Sequence, residues 1–269
     1  MRRFAALVGL VGLALLGLAA GELLEQAGRS SRAVVIAAAP TGDPGHWHGI
    51  FDEEFGAGSL DTAVWSTGWF GAGITGPINP DDELSCYDPA EVTQANGILD
   101  LGIVARAETC PTAAGMIAKP YATGFISTRG RFSFTHGFLE ARIWLPPTPS
   151  GQIADWPAFW AVGRGPADGE LDVVEGLGGL ACWHFHAPAG VTGNCSAATF
   201  AGGWHTFGAD WEPGNVTWYY DGRPVGSVSS GITSSPLFLI LDLSVDHANG
   251  GPIEAPAHLR VDYVRVWQH

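Results

Sequence analysis

The chain has 269 residues and a formal net charge of −14, from 13 Lys plus Arg against 27 Asp plus Glu. That balance repels a phosphate backbone and an anionic bilayer surface, so no nucleic acid partner is expected. With 38 Gly, 18 Pro, 11 Trp and only 15% charged residues, the composition suits many short strands joined by turns and disfavours helices.

Arg2 and Arg3 precede an unbroken apolar run from Phe4 to Ala20, and small residues at Gly17 to Gly21 offer a signal-peptidase site. The pattern predicts an export signal over residues 1–20, cleaved so that no stable membrane insertion remains. The alternative is a retained anchor, because a run of ~17 residues is at the lower limit for crossing a bilayer. Residues 21–47 hold no sustained period and read as an irregular linker, with a single folded domain expected over 48–269. Cys86, Cys110, Cys182 and Cys195 form an even set without a C-x-x-C pair, which argues against zinc and for disulfides in an oxidising, extracellular setting. Three pairings are possible; Cys86 with Cys110 and Cys182 with Cys195 are the expected ones, each bracketing a short segment. Oligomeric state is not written in the residues, and a monomer is the default.

From residue 48 the chain repeats short apolar runs punctuated by Gly, Pro, Asn or Asp. "GFISTRGRFSF", "GFLEARIWLPP", "VTWYYDGRPVGSVSS", "PLFLILDLSV" and "LRVDYVRVW" each read as strand. Asp221-Gly222, between two such runs, marks a tight hairpin, since that turn needs positive φ. No segment holds a helical period beyond the N-terminal run. Many strands over about 220 residues imply two antiparallel sheets packed face to face.

In "GELDVVEG", residues 169–176, three acids interrupt an apolar run. Glu170 and Asp172 share one face of an extended strand, whereas Glu175 is five residues from Glu170 and falls on the other. One extra residue between Asp172 and Glu175, a β-bulge, returns Glu175 to the first face. Two carboxyls brought to ~5–5.5 Å are what a retaining glycosidase needs, one as nucleophile and one as acid and base. Three facing carboxylates on a solvent-exposed edge would only repel one another.

These residues resemble glycoside hydrolase family 16, the laminarinase-like endo-β-glucanases, whose E-x-D-x-x-E signature in its bulged form is matched by "GELDVVEG". Further similar stretches run in order from "FDEEFGAGSLDTAVW" through "DDELSCYDP", "ANGILDL", "WPAFWAVG" and "WHTFGADWEPGNVTWYYDG" to "RVDYVRVW". The resemblance implies an all-β, concanavalin-like jelly roll with a concave cleft and a polysaccharide substrate, a β-1,3- or mixed β-1,3/1,4-glucan. It also implies retention of configuration, with Glu170 as nucleophile, Asp172 as its helper and Glu175 as acid/base. A galactan substrate, transglycosylation and a non-catalytic lectin-like sandwich are the alternatives. Trp156, Trp160 and Trp183 lie in stretches that resemble the family's cleft strands, where indoles stack on sugar rings; for Trp156 a core position is an equal alternative. His184 and His186 alternate with Trp183 and Phe185; without a third suitably spaced ligand they do not predict a metal, and His186 is expected to line the cleft beside the acid/base. Glu83 is expected near the cleft rim, and His205 in a structural role. No cofactor is required, but the resemblance allows a structural calcium at Asp262 and a carbonyl near Gly97. The chain departs from the family at Asp242, where Asn is common, and at "VDHANGGPIEAP", where a Gly-Gly-x-Trp segment is common; Asp242 could meet a sugar hydroxyl or solvent.

Overall fold

The computed structural model describes residues 39–269, so the segment expected as export signal and most of the expected linker lie outside the described residues. Among the described residues, eighteen strands form two large sheets and one ribbon. The ten-stranded sheet contains β1 (His48–Glu53), β2 (Ser85–Tyr87), β3 (Val92–Ala95), β4 (Ile98–Val104), β7 (Tyr121–Thr123), β9 (Gly137–Trp144), β14 (Trp204–Glu212), β15 (Asn215–Tyr220), β16 (Arg223–Val228) and β18 (Ala257–Gln268). The six-stranded sheet runs β13 (Gly190–Cys195), β12 (Leu180–Ala187), β11 (Glu170–Leu177), β10 (Trp156–Val162), β17 (Phe238–Ser244), β8 (Phe125–Ser127). The ribbon joins β5 (Glu108–Thr112) and β6 (Gly115–Lys119), and one 3-10 turn spans Pro89–Glu91. These are the two antiparallel sheets that the strand texture predicts, in the jelly-roll form that the family resemblance implies, with β2 and β7 as the one parallel pair among the strands of the described residues.

Alternation assigns every side chain of the six-stranded sheet to one of two environments. Phe159 and Ala161 of β10, Leu171 of β11, Ala181 and Phe185 of β12 and Leu239, Leu241 and Leu243 of β17 point inward. There they join Leu139, Ile143, Phe207, Trp218, Val261 and Val264 of the larger sheet in one buried core. The opposite face of the same strands carries Trp156, Trp160, Glu170, Asp172, Glu175, His186 and Asp242. Burying one large apolar side chain of the inner set is worth about 1.5–3 kcal/mol, and that is what fixes the register of the outer set.

Asp221 (φ 48°) and Gly222 (φ 71°) form the expected hairpin turn between β15 and β16. The segment "GFISTRGRFSF" is not one strand: β8 ends at Ser127, and the backbone of Arg131 and Phe132 donates back to the Thr128 carbonyl in a turn through Gly130 (φ 76°). Both disulfides form in the expected pairing, Cys86 with Cys110 and Cys182 with Cys195, and no cysteine is free. Residues 40–47 form no strand but are tied to the larger sheet. Thr41 donates its backbone N–H to Glu140 Oε2 at 2.8 Å, and Trp47 stacks on His269 at 3.8 Å.

Candidate active site

The bulge exists where the three acids require it. On one side β11 pairs Asp172 with Trp160 and Val174 with Phe159, leaving Val173 without an opposite residue; on the other it pairs Asp172 with His184 and Glu175 with Cys182. Val173 and Val174 both point into the core, so the next side chain, Glu175, returns to the outer face with Glu170 and Asp172. A bulge frees carbonyls from the ladder, and those must find other donors. Trp218 Nε1 donates to the Asp172 carbonyl at 2.8 Å, and the Tyr220 hydroxyl lies 3.0 Å from the Val173 carbonyl and 3.1 Å from that of Cys182. The larger sheet therefore holds the irregularity in place from behind.

Trp183 belongs to this support and not to the cleft. It is buried among core residues, stacks on Trp218 at 4.6 Å, and lies so close to Gly226 that a Cβ there would fall 2.0 Å from its ring. The reason is parity: His184 and His186 face outward on β12, so Trp183 and Phe185 must face inward.

The outer face forms a cavity of about 270 Å³ lined by Glu83, Tyr87, Trp156, Trp160, Glu170, Asp172, Glu175, His186, Asp242 and Ser244, with Ile78 and Asn79 contributed by the loop before β2. Glu175 is held at both oxygens: Trp156 Nε1 donates to Oε1 at 3.2 Å, and His184 Nδ1 lies 2.7 Å from Oε2. Hence Trp156 is a cleft residue, and the histidine beside the third acid is His184. His186 instead sits 2.9 Å from Asp172 Oδ2 and 3.5 Å from Glu170 Oε1. Trp160 donates to Asp242 Oδ1 at 2.8 Å and stacks on Trp69 at 6.2 Å. Of the two expected settings, a sugar hydroxyl or solvent, Asp242 is turned away from bulk solvent: it is buried on the cleft floor, bonded to an indole, and lines the cavity. Glu83 also lies deeper than expected: it is buried, accepts from the Tyr87 hydroxyl at 2.9 Å and from Ser244, and its carboxylate is fully engaged. His205 is structural, with Nδ1 2.8 Å from Asp221 Oδ2 at the β15–β16 turn.

Burial without a cation raises acid pKa values here. Glu170 is pushed up to about 7, first by burial and then by the charge of Glu175. Asp172 rises well above the usual carboxylate range through burial, the charges of Glu175 and Glu170, and a hydrogen bond shared with Glu175. Burial likewise raises Asp242 strongly, against the Trp160 hydrogen bond, and raises Glu83. Burial lowers His186, favouring its neutral form. The cluster therefore stores protons next to a carboxylate, the arrangement that acid–base chemistry at a single carbon needs.

Donor atoms of Glu170, Asp172 and His186, and of Asp172, Glu175 and His184, come within 4.8 Å of one another, so carboxylates supply the third ligand that the histidine spacing lacked. The calcium implied at Asp262 does not fit its surroundings. Asp262 Oδ2 is 2.7 Å from Arg142 Nη1, a guanidinium that already neutralises the only carboxylate proposed for the ion.

Residues 104–236 match the family model described as glycosyl hydrolases family 16. The chain is 28% identical over 233 residues to the endo-1,3-1,4-beta-glycanase EglC of Rhizobium meliloti (strain 1021), covering 78% of this chain and 48% of that protein. It is 28% identical over 267 residues to the glucan endo-1,3-beta-glucosidase A1 of Niallia circulans, covering 81% and 37%. It thus spans less than half the length of these two curated relatives. The X-ray structure of endo-beta-1,3-glucanase from Pyrococcus furiosus superposes with a TM-score of 0.70 at 26% identity, over 82% of this chain and 94% of that one. With this sheet order, this bulge and these matches, the chain belongs to glycoside hydrolase family 16.

Proposed function

We propose that the protein is an exported endo-glycosidase that cleaves β-1,3- or mixed β-1,3/1,4-glucan with retention of configuration. The observation that carries the reading is the convergence of Glu170, Asp172 and Glu175 in one cleft across the Val173 bulge. Glu170 attacks the anomeric carbon while the departing glycosidic oxygen takes a proton from Glu175, leaving a glycosyl ester on Glu170. Glu175 then removes a proton from water, which attacks the same carbon and releases Glu170; two inversions give net retention. Asp172, buried between the two, has its pKa raised by burial and by the charges of Glu175 and Glu170, which favours its protonated form and limits the negative charge the pair must carry. Trp156, fixed by its bond to Glu175, and Trp160, fixed by Asp242, offer apolar ring surface to a pyranose. The activities for which the two relatives are named, an endo-1,3-1,4-beta-glycanase and a glucan endo-1,3-beta-glucosidase, support a β-glucan as substrate. Export is supported by the two disulfides. A monomer suffices, because one chain supplies every reacting group, and no step calls for a cofactor.

Reducing-sugar release from a panel of β-glucans and galactans tests the reading. The wild-type chain is expected to release sugar from β-1,3-linked glucan, with first products of β configuration by NMR, and Glu170→Gln and Glu175→Gln each to lose on the order of 10²–10⁴-fold. Binding without release would point to the lectin-like alternative, products longer than the substrate to transglycosylation, and activity surviving both substitutions would remove the assignment.

A further inference from the structure

Half of the eight arginines among the described residues are paired with carboxylates. Arg106, Arg142, Arg260 and Arg265 each pair with at least one, and Lys119 donates to the carbonyls of Pro80 and Glu83. Among the described residues, Arg129, Arg131, Arg164 and Arg223 have no carboxylate in ion-pair range, and the first three of these gather beside one depression. That depression, of about 360 Å³, is lined by Arg131, Arg164, Ser133, Asp168 and Phe238. Arg129 borders it, its guanidinium 5.1 Å from the Trp69 ring and 5.9 Å from that of Phe238.

The depression adjoins the cleft. Phe238 packs with Trp69 and Trp160 on the cleft face, and it forms one cross-strand row with Val162 and Glu170. Two strand spacings separate Phe238 from Glu170, about 10 Å, so a glycan lying over the proposed nucleophile extends to the arginines. The cationic groups are also held in place: Arg131 Nε donates to the Thr62 carbonyl at 3.1 Å, and Asp168 Oδ2 accepts from the Gly165 backbone at 2.9 Å, bracing the turn that presents Arg164. The rest of the cleft presents carboxyl groups and no arginine or lysine side chain to an anionic substituent, so such a group is favoured at this end.

We propose that Arg131 and Arg164, with Arg129 at the border, form a subsite for an oxyanion, a carboxylate or sulfate ester, borne by the glucan substrate. This inference rests on the glucanase reading of the cleft. Guanidinium is suited to the task, because its planar fork matches both oxyanions.

The test measures kcat/KM on a neutral β-1,3-glucan, on the same glucan partly carboxylated at C6, and on the same glucan partly sulfated. The wild-type chain is expected to prefer at least one charged form about fivefold at low salt, with the preference falling towards unity in about 0.5 M NaCl as screening takes hold. Arg131→Ala combined with Arg164→Ala should abolish the preference and leave the neutral-glucan rate unchanged, and Arg164→Glu should drive it below unity. Response to the carboxylated or the sulfated polymer identifies the oxyanion. Equal preference in wild type and double variant, or a wild-type preference for neutral glucan at low salt, overturns the proposal. If no glucan is cleaved, the glucanase reading fails, and calorimetric titration with carboxylated and neutral oligosaccharides then decides the subsite by itself: charge-dependent affinity lost in the double variant supports it, and affinity independent of charge overturns it.

Discussion

Acids on the two outer surfaces of the sandwich are handled in opposite ways. On the larger sheet four of them meet arginine: Asp52 and Glu54 flank Arg265, Asp100 accepts from Arg260 at 3.1 Å, and Asp262 from Arg142. In the cleft of the smaller sheet, Glu83, Glu170, Asp172, Glu175 and Asp242 have no arginine or lysine partner among the described residues. Their neighbours are indoles, a phenol, a serine hydroxyl and two imidazoles. A cation would stabilise a carboxylate in its charged form, whereas uncharged donors in a desolvated site leave room for a proton. The difference shows that this fold spends its cations on holding strands and keeps them from the groups proposed to transfer protons.

The largest effect should come from removing one charge of the cleft set. Glu175→Gln deletes the proposed proton donor, so glucan cleavage is expected to fall on the order of 10²–10⁴-fold. An aryl glycoside with an acidic phenol leaves without protonation and should still form the glycosyl ester. On that substrate the acid limb of kcat/KM reports Glu170, which sits at about 7 partly because Glu175 is charged. Burial is the larger cause of that rise and the Glu175 charge the second, so without the charge the limb is expected to move down part of the way. A limb that stays in place would mean that burial alone raises Glu170, and the like-charge half of the comparison would be withdrawn.

What the residues reveal before folding follows from how each signal is physically encoded. The acids of "GELDVVEG" stand out because strand interiors are poor in Asp and Glu, and the count between them demands one extra residue, which is Val173. The strand β17, with both faces buried, reads as an apolar run and shows no alternation. Trp183 was ambiguous, since an indole serves a sugar cleft or a core equally well; the outward parity of His184 and His186 was the available signal for its inward side. Trp218 and Tyr220, which hold the bulge, could not be connected to it from sequence, because their hydrogen bonds span 46 and 47 residues and join different sheets. Trp69 was invisible for a related reason: it sits in a loop with no period, and only the folded chain stacks it on Trp160. The partner of Asp262 was hidden in the same way: pattern places Asp262 on a strand but cannot see Arg142 on the neighbouring one, which it meets in an ion pair.

A smaller effect separates burial from charge. Asp242 has its pKa raised well above the ordinary value by burial. The stability it contributes is fully present below its unfolded pKa and is lost as pH rises from there through the folded value. Asp242→Asn keeps an oxygen for Trp160 Nε1 and removes the titration. The variant should match wild type near pH 4 and melt at a higher temperature than wild type near pH 8. Melting curves at the two pH values check this, and an advantage equal at both would place the effect outside ionisation.

Arg265→Gln is the smallest and has the opposite sign. Arg265 is largely buried against the Tyr263 ring at 3.9 Å, with Asp52 Oδ1 at 3.1 Å and Glu54 as its second partner. Burial already raises Glu54, and Arg265 works against that rise. Removing the guanidinium leaves two neighbouring carboxylates without a counter-charge, at a cost of about 1–2 kcal/mol near pH 7, between the values for exposed and buried pairs. As pH falls through the range in which Glu54, raised by burial, takes up a proton, the penalty should shrink, so the melting temperatures of variant and wild type converge towards pH 4. Asp242→Asn and Arg265→Gln therefore diverge from wild type in opposite directions as pH rises, one relieved of a buried acid without a cation and the other made to carry two. A penalty for Arg265→Gln that is unchanged at pH 4 would instead trace to lost packing on Tyr263, and the arginines of the larger sheet would then act by contact more than by charge.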